Sequence, residues 1–414
     1  MNFIKPGLMF IVLLAVACKP LNEIALRDLS KFYEPQDVDR LLVNTINLND
    51  TLSHAVIAFN PEINSSGRIL QGDTTKQVIR IAYVLYKSLN SASVADSGTL
   101  YNEFAYRMYY GLPLSLGFDF KAPAGSNYML HVQVTDANQG RTYEAIIPVD
   151  KNTYSSSGWY LLTNDNNNQI LEHYLPDNET VNLKYLVPGQ TKLWGKYYNK
   201  TYPPALPPFV MEMRERVDYD ADSTFQIMME ERSSVIMNFT TPGLYYLRSD
   251  TTGFEGFTVP RFYDGYPLVN TPFRMIESVR YITSGEEYEQ LINSRDHKVA
   301  IDSFWVKTGG NLARGLELIR QYYGRVEVAN RLFSSFCEGW KTDRGMIYIV
   351  FGAPNIVYRS GRQEEWIYGE VRNYRSIHCV FEKVDNPFTD EDYVLQRQPN
   401  FREFWYMAVQ QWRR

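Results

Sequence analysis

"EGWKTDRGMIYIVFGAP", from Glu338 to Pro354, decides how the last third of this 414-residue chain is built. Gly339 accepts the left-handed backbone that ends a helix. Trp340 offers a large apolar surface to wedge between a helix and a sheet. Thr342 and Asp343 are short polar residues suited to bonding backbone amides in a turn. Arg344 can pair with Asp343 or another carboxylate, and Gly345 releases the chain into the next element. Met346 to Phe351 are apolar on both faces, which predicts a central strand covered on both sides. Gly352-Ala353-Pro354 then stops it. Every residue has a local task, so the stretch reads as the corner of a fold. A competing reading makes Asp343 an acid–base group with Arg344 and Glu365 nearby, since paired carboxylates can divide acid and base roles.

Upstream, "TSGEEYEQL" opens with Ser284 three residues before Glu287, the pattern of a capping box. In "NLARGLELIRQYYGRVEVANRLF", Leu312, Leu316, Ile319, Tyr323, Val326 and Phe333 fall largely on one helical face, which predicts a helix packed on a core. Downstream, Glu365–Tyr368, Ser376–Lys383 and Asp392–Gln398 have strand character. Helices followed by an antiparallel meander predict an α+β domain over residues 261–414.

Before residue 261 the pattern is all β. "VIRIAYVLYK" (Val78–Lys87) and "YMLHVQVTD" (Tyr128–Asp136) are rich in β-branched and aromatic residues. The second leads through "ANQGR" into "TYEAIIPV" (Thr142–Val149), a hairpin signature. "FVMEMRERV" (Phe209–Val217), "STFQIMM" (Ser223–Met229), "SVIMNF" (Ser234–Phe239) and "GLYYLRS" (Gly243–Ser249) continue the series. Two β-sandwich domains of immunoglobulin-like kind are expected, at residues 39–150 and 151–260. "YPPALPPF" (Tyr202–Phe209) is stiff because Pro fixes φ and donates no hydrogen bond; it reads as a loop within the second domain.

The first residues read as a processing signal. Lys5 precedes an apolar run, Leu8–Ala17, too short to span a bilayer. Ala15-Val16-Ala17-Cys18 resembles a lipobox, although Ala15 stands where Leu is commoner. Residues 1–17 are then a signal peptide, Cys18 carries the lipid, and 18–38 form a tether with a short helix. Lys19 after Cys18 favours the outer membrane, and the absence of a dense acidic run favours its periplasmic face. A net charge of −5 shows no basic footprint for nucleic acid.

"YYGRVEVANRLFSSFCEGWKTDRGMIYIVFGAPNIVYR" resembles the GWxTD domain, whose pattern is Gly339-Trp340-Lys341-Thr342-Asp343 here. The likeness extends to "VRYITSGEEYEQL", "AIDSFW" and "EEWIYG". It implies an exported lipoprotein of the Bacteroidota and a domain without an established enzymatic activity. Gly339, Trp340, Thr342, Asp343, Arg344, Gly345, Gly352 and Pro354 are the family-motif positions, read as structural.

Other candidates divide between function and fold. The five histidines are scattered, with no HExxH, and no GxSxG elbow or phosphate-binding glycine loop occurs. No metal and no cofactor are expected. "DYDADS" (Asp218–Ser223) begins like a calcium loop, yet Ser223 stands where the sharp-turn Gly belongs, so it reads as an acidic hairpin tip. "KLWGKYYNK" interleaves aromatics with Lys: Trp194 and Tyr197 could stack on a glycan or peptide, or the Lys residues could protect an edge strand. Trp405 and Trp412 could dock a partner or close the last core. Thr51, Thr74, Ser223 and Thr251 follow an aspartate in the short pattern of Bacteroidota O-glycosylation. Cys337 and Cys379 can pair in an exported protein or stay buried as thiols. The leading expectation is a non-catalytic scaffold or accessory subunit of an envelope assembly (secretion, barrel biogenesis or uptake), with an outer-membrane barrel or other lipoproteins as partners. A glycan- or peptide-binding module and a hydrolase using Asp343 and Glu365 are the alternatives.

Overall fold

A computed structural model describes residues 24–38, 40–61, 76–105, 113–137, 140–175, 180–212, 217–230, 233–253, 255–371, 373 and 375–413. The expected signal peptide, Cys18 and Thr74 lie outside the described residues. Two 3-10 turns, Ile24–Leu26 and Ser30–Tyr33, open the described chain.

β1 (Leu41–Asn47), β2 (Leu52–Phe59), β3 (Lys76–Tyr86), β4 (Val94–Ala105), β5 (Leu114–Lys121), β6 (Asn127–Asp136) and β7 (Arg141–Asp150) follow. They make two antiparallel sheets, β1-β2-β5 and β4-β3-β6-β7. Leu114, Leu116, Phe118 and Phe120 of β5 are buried and the residues between them exposed, the two-residue period of a half-buried strand. Ile57 and Phe59 from one sheet share a core with Ile81, Leu130 and Val132 from the other. The predicted hairpin is β6–β7, and Gly140 in its turn has φ +69°, a conformation glycine adopts without steric cost.

The second unit holds β8 (Tyr160–Thr163), β9 (Thr180–Tyr185), β10 (Lys192–Tyr198), β11 (Ser223–Met228), β12 (Val235–Asn238), β13 (Gly243–Arg248) and β14 (Phe257–Arg261). Its sheets are β12-β9-β8 and β11-β10-β13-β14, around Trp159, Val181, Leu183, Leu193 and Leu247. Two expectations change. The described residues of Phe209–Val217 form no strand. β10 lies between β11 and β13 rather than at an edge, so its lysines guard no open hydrogen-bonding groups.

The C-terminal region contains α1 (Pro272–Ser278), α2 (Gly285–Ile292), α3 (His297–Gly309), α4 (Leu312–Phe333) and α5 (Asp343–Phe351). The sheet β15 (Ile356–Arg359), β16 (Gln363–Tyr368), β17 (Ile377–Lys383), β18 (Tyr393–Leu395) follows, antiparallel in sequence order, and α6 (Phe401–Trp412) closes the chain. The capping box forms: Ser284 Oγ accepts from the Glu287 amide, and the Glu287 carboxylate accepts from the Ser284 amide. The buried residues of α4 are Gly315, Leu318, Tyr322, Tyr323, Val326, Ala329, Asn330 and Phe333, so Tyr323, Val326 and Phe333 lie as predicted, whereas Leu312 and Leu316 are exposed. The stripe is therefore turned from the predicted one over the first two turns. The largest correction concerns Met346–Phe351, which is helix, not strand. Asp343 to Val350 are all buried, and a helix covered on every side has no polar face to reveal its period.

The three regions share apolar contacts. Tyr86, Val84 and Met129 of the first unit join the large C-terminal core. Tyr198, Leu244 and Tyr246 of the second unit pack with Phe336, Cys337 and Phe388.

Candidate functional site

The pentad lies where α4 ends and α5 begins. A Cβ on Gly339 would meet the Ala329 carbonyl oxygen of α4 at 2.1 Å, and one on Gly345 would meet the Gly339 oxygen at 1.9 Å. These two glycines are thus set by close backbone approach, not by a left-handed turn. Trp340 is buried; its amide donates to Asn330 Oδ1 at 3.0 Å and its carbonyl accepts from Tyr281 Oη at 2.9 Å. Thr342 is the N-cap of α5: its Oγ1 accepts from the Gly345 amide at 3.0 Å, satisfying one of the donors a helix start leaves open. Gly352 ends α5 at φ +90°.

Asp343 is buried, and its carboxylate accepts from the Leu395 amide at 2.9 Å and from both terminal nitrogens of Arg397, at 3.1 and 2.5 Å. Arg397 also donates to the Leu206 carbonyl at 3.0 Å, and the Lys341 carbonyl accepts from the Ala205 amide at 2.8 Å. The Pro-rich run is therefore a strap laid against this corner, beyond its expected role as a loop of the second unit. Asp343 orients the arginine that holds it.

Beside Asp343, Arg344 enters a buried ionic network. Its guanidinium reaches Glu364 Oε2 at 3.3 Å and Glu391 Oε2 at 2.8 Å. Arg359 reaches the same two carboxylates at 3.4 and 2.8 Å. Glu364 is 0% exposed, and its Oε1 accepts from Tyr33 Oη at 2.7 Å and Trp366 Nε1 at 2.6 Å. Burial opposes ionisation of Glu391, but Arg359 and Arg344 outweigh it and hold its carboxyl well below the usual range. Burial also pushes the Tyr33 hydroxyl up, reinforced by the Glu364 charge, so Tyr33 stays a neutral donor. Two cations face two anions with every oxygen of Glu364 engaged, the condition under which a buried ion network is tolerated.

Tyr33 brings the N-terminal segment here. The Tyr33 carbonyl accepts from Tyr348 Oη at 2.9 Å, the Leu29 amide donates to Val357 O at 2.8 Å, and Asp28 Oδ1 accepts from the Val357 amide at 2.9 Å. Ile24, Leu29 and Tyr33 are buried in the C-terminal core. Residues 24–33, within the stretch expected to form a tether and a short helix, are docked through these contacts. Sequence reasoning missed this segment, and it also chose the wrong glutamate. Glu364 points inward on the same face of β16 as Trp366, while Glu365 points away and pairs with His378 at 2.8 Å. Asp343 and Glu365 are not brought together.

The other candidates are placed as follows. Trp194 and Tyr197, three residues apart on β10, fall on opposite faces; Trp194 lies under Lys192 and Tyr197 against Tyr245. Trp405 and Trp412 are both 4% exposed, and Trp412 Nε1 donates to the Val350 carbonyl at 3.1 Å. Both close the core. Cys337 and Cys379 are unpaired and buried, with burial pushing the Cys337 thiol up to about 12. Asp218 and Asp222 are held by Lys200 at 3.0 and 3.4 Å. Thr51, Ser223 and Thr251 are exposed. Among the described residues no cluster of three or more metal-ligating side chains occurs, and no helix is long and apolar enough to cross a membrane.

The corner just described is the named element of a known domain. Residues 243–414 are a GWxTD domain. The match opens at Gly243 and so takes in β13 and β14, eighteen residues before the expected boundary at 261. Packing supplies a reason, because Leu244 and Tyr246 of β13 lie against Phe336, Cys337 and Phe388 of the GWxTD domain. No curated protein matches the chain. Among solved structures, the C-terminal 282-residue fragment of intimin, in complex with the intimin-binding domain of the translocated intimin receptor, is 8% identical. The likeness covers 86% of this chain and 94% of that one at a TM-score of 0.14.

Proposed function

We propose that this chain is a non-catalytic lipoprotein of the Bacteroidota outer membrane, anchored through Cys18 and facing the periplasm. It would serve as a scaffold or accessory subunit of an envelope assembly for secretion, barrel biogenesis or uptake, with a barrel or other lipoproteins as partners. Its two β units are read as immunoglobulin-like sandwiches that carry the GWxTD domain. The observation that carries this reading is the occupied state of Asp343. Its carboxylate is clamped by Arg397 and the Leu395 amide, so the motif joins the Pro-rich strap, the last strand and α5 rather than offering a group to a substrate. The docked N-terminal segment agrees with a scaffold role. Five residues lie between Cys18 and Ile24, a reach of at most about 22 Å, so a lipid on Cys18 would hold the GWxTD domain close to the bilayer.

Mild crosslinking of the tagged protein in intact cells, followed by detergent extraction and mass spectrometry, tests the proposal. One partner recovered in stoichiometric amount is expected. A clean monomer overturns the scaffold reading. Labelling with a palmitate analogue that persists in Cys18→Ala would remove the anchor.

A further inference from the structure

Two depressions, of about 540 and 270 Å³, lie end to end along α4 on the GWxTD domain, and Gln321 and Arg325 line both. The first is the more apolar of the two, walled by Pro35, Glu327, Tyr348 and Gly352 among others. The second mixes polar and apolar surface, with Arg314 and Gln411 beside Phe351, Phe404, Met407 and Trp412. Met407 is 47% exposed, an apolar side chain left open at the rim.

Arg325 stands at the junction. One terminal nitrogen donates to the Ile349 and Val350 carbonyls, at 3.1 and 3.2 Å, and the guanidinium lies 4.8 Å from the Trp412 ring centroid. Among the described residues no carboxylate lies within ion-pair distance of it. Its other donors border the depressions. Gly352, at φ +90°, leaves room for the guanidinium, which a Cβ there would meet at 3.0 Å. Glu327 borders the first depression, but its Oε1 accepts from the Val269 amide at 3.2 Å. A half-buried arginine satisfied only by carbonyls and an aromatic face retains the fork geometry that binds a carboxylate through two parallel hydrogen bonds.

We infer that this groove binds an apolar segment of a partner protein carrying an Asp or Glu side chain, with the carboxylate on Arg325 and a neighbouring apolar side chain over Phe351 and Met407. Because the two depressions continue on either side of Arg325, the segment passes over it, and the acid is a side chain rather than a chain end. The inference rests on the reading that the chain binds a protein partner, and it names the place.

The test uses the full-length protein and a fluorescein-labelled panel of blocked octapeptides, each with two apolar residues before a central Glu, and a matched panel with Gln. Anisotropy titration should show the best Glu peptide binding at least tenfold more tightly than its Gln counterpart. Arg325→Met should reduce the Glu peptide to the Gln level, Arg325→Lys should keep part of the preference, and Met407→Asp should weaken both peptides. Circular dichroism melts show whether each variant is folded; Met407→Asp serves if Arg325→Met is not. Equal binding of Glu and Gln peptides, or no binding by either panel, overturns the inference. A crosslinked partner whose yield in cells is unchanged by Arg325→Met and Met407→Asp also overturns it, while leaving the scaffold reading standing.

Discussion

At the scale of single residues, the GWxTD motif is explained by how closely two backbone segments approach. Gly345→Ala places a methyl group against the Gly339 oxygen, where neither backbone can give way. We expect a loss of about 3 kcal/mol or more in denaturant unfolding; a loss below about 1 kcal/mol would show that the corner is not closely packed. Arg397→Met should cost about 3–5 kcal/mol, because it leaves Asp343 charged and buried. Asp343→Asn combined with Arg397→Met should recover part of that loss, and strict additivity of the two would contradict the coupling. Much of this was legible in "GWKTDRG": a corner, a buried Trp and hydrogen-bonding Thr and Asp. The partners were not, because Arg397 is 54 residues from Asp343. The parity of "EEW" does distinguish Glu364 from Glu365, since whichever glutamate shares the face of a buried Trp is itself buried.

At the scale of elements, two segments differ most from expectation. α5 looks like a strand because Ile347-Tyr348-Ile349-Val350 is β-branched and aromatic, and tertiary burial overrides that propensity. Its legible sign was the cap: Thr342 followed by the acidic Asp343 fits a helix start as well as a turn. α6 carries Phe401, Trp405 and Trp412 on one buried face, a spacing that already favoured core over docking surface. The N-terminal segment is too short to announce its own packing. Its contribution is measurable through Tyr33→Phe, which removes a donor from the fully buried Glu364. About 1–3 kcal/mol should be lost, seen as a lower unfolding midpoint, and an unchanged midpoint would mean the segment does not dock.

At the scale of the whole molecule, the alternation of β1 to β14 and the change to helix near residue 261 made the architecture legible, whereas the contacts joining the regions were not. Partly buried charged groups make stability depend on pH in two windows. Glu391 is held low by Arg359 and Arg344 against its burial, and Glu287 is held at about 2, chiefly by Arg413. Carboxyls depressed in the folded state bind fewer protons there than when unfolded. Their contribution is present above about pH 4.5 and is lost as pH falls towards 2. Buried Lys151 is lowered to about 8 by desolvation, only partly offset by Asp50. Between pH 8 and 10 the unfolded chain holds that proton more tightly, so stability should rise with pH, and Lys151→Met should flatten the rise. Denaturant midpoints across the range would check both signs; a rise that survives Lys151→Met would assign it elsewhere. The docked N-terminal segment has a further consequence, one of timing. Asp28 and Tyr33 bond to Val357, Glu364 and Tyr348, partners 329, 331 and 315 positions later in the chain. During synthesis these first residues emerge long before their binding place exists, and contacts of such sequence separation form slowly. Ile24, Leu29 and Tyr33 must wait as exposed apolar side chains, a period of aggregation risk that ends only when the last sixty residues have folded.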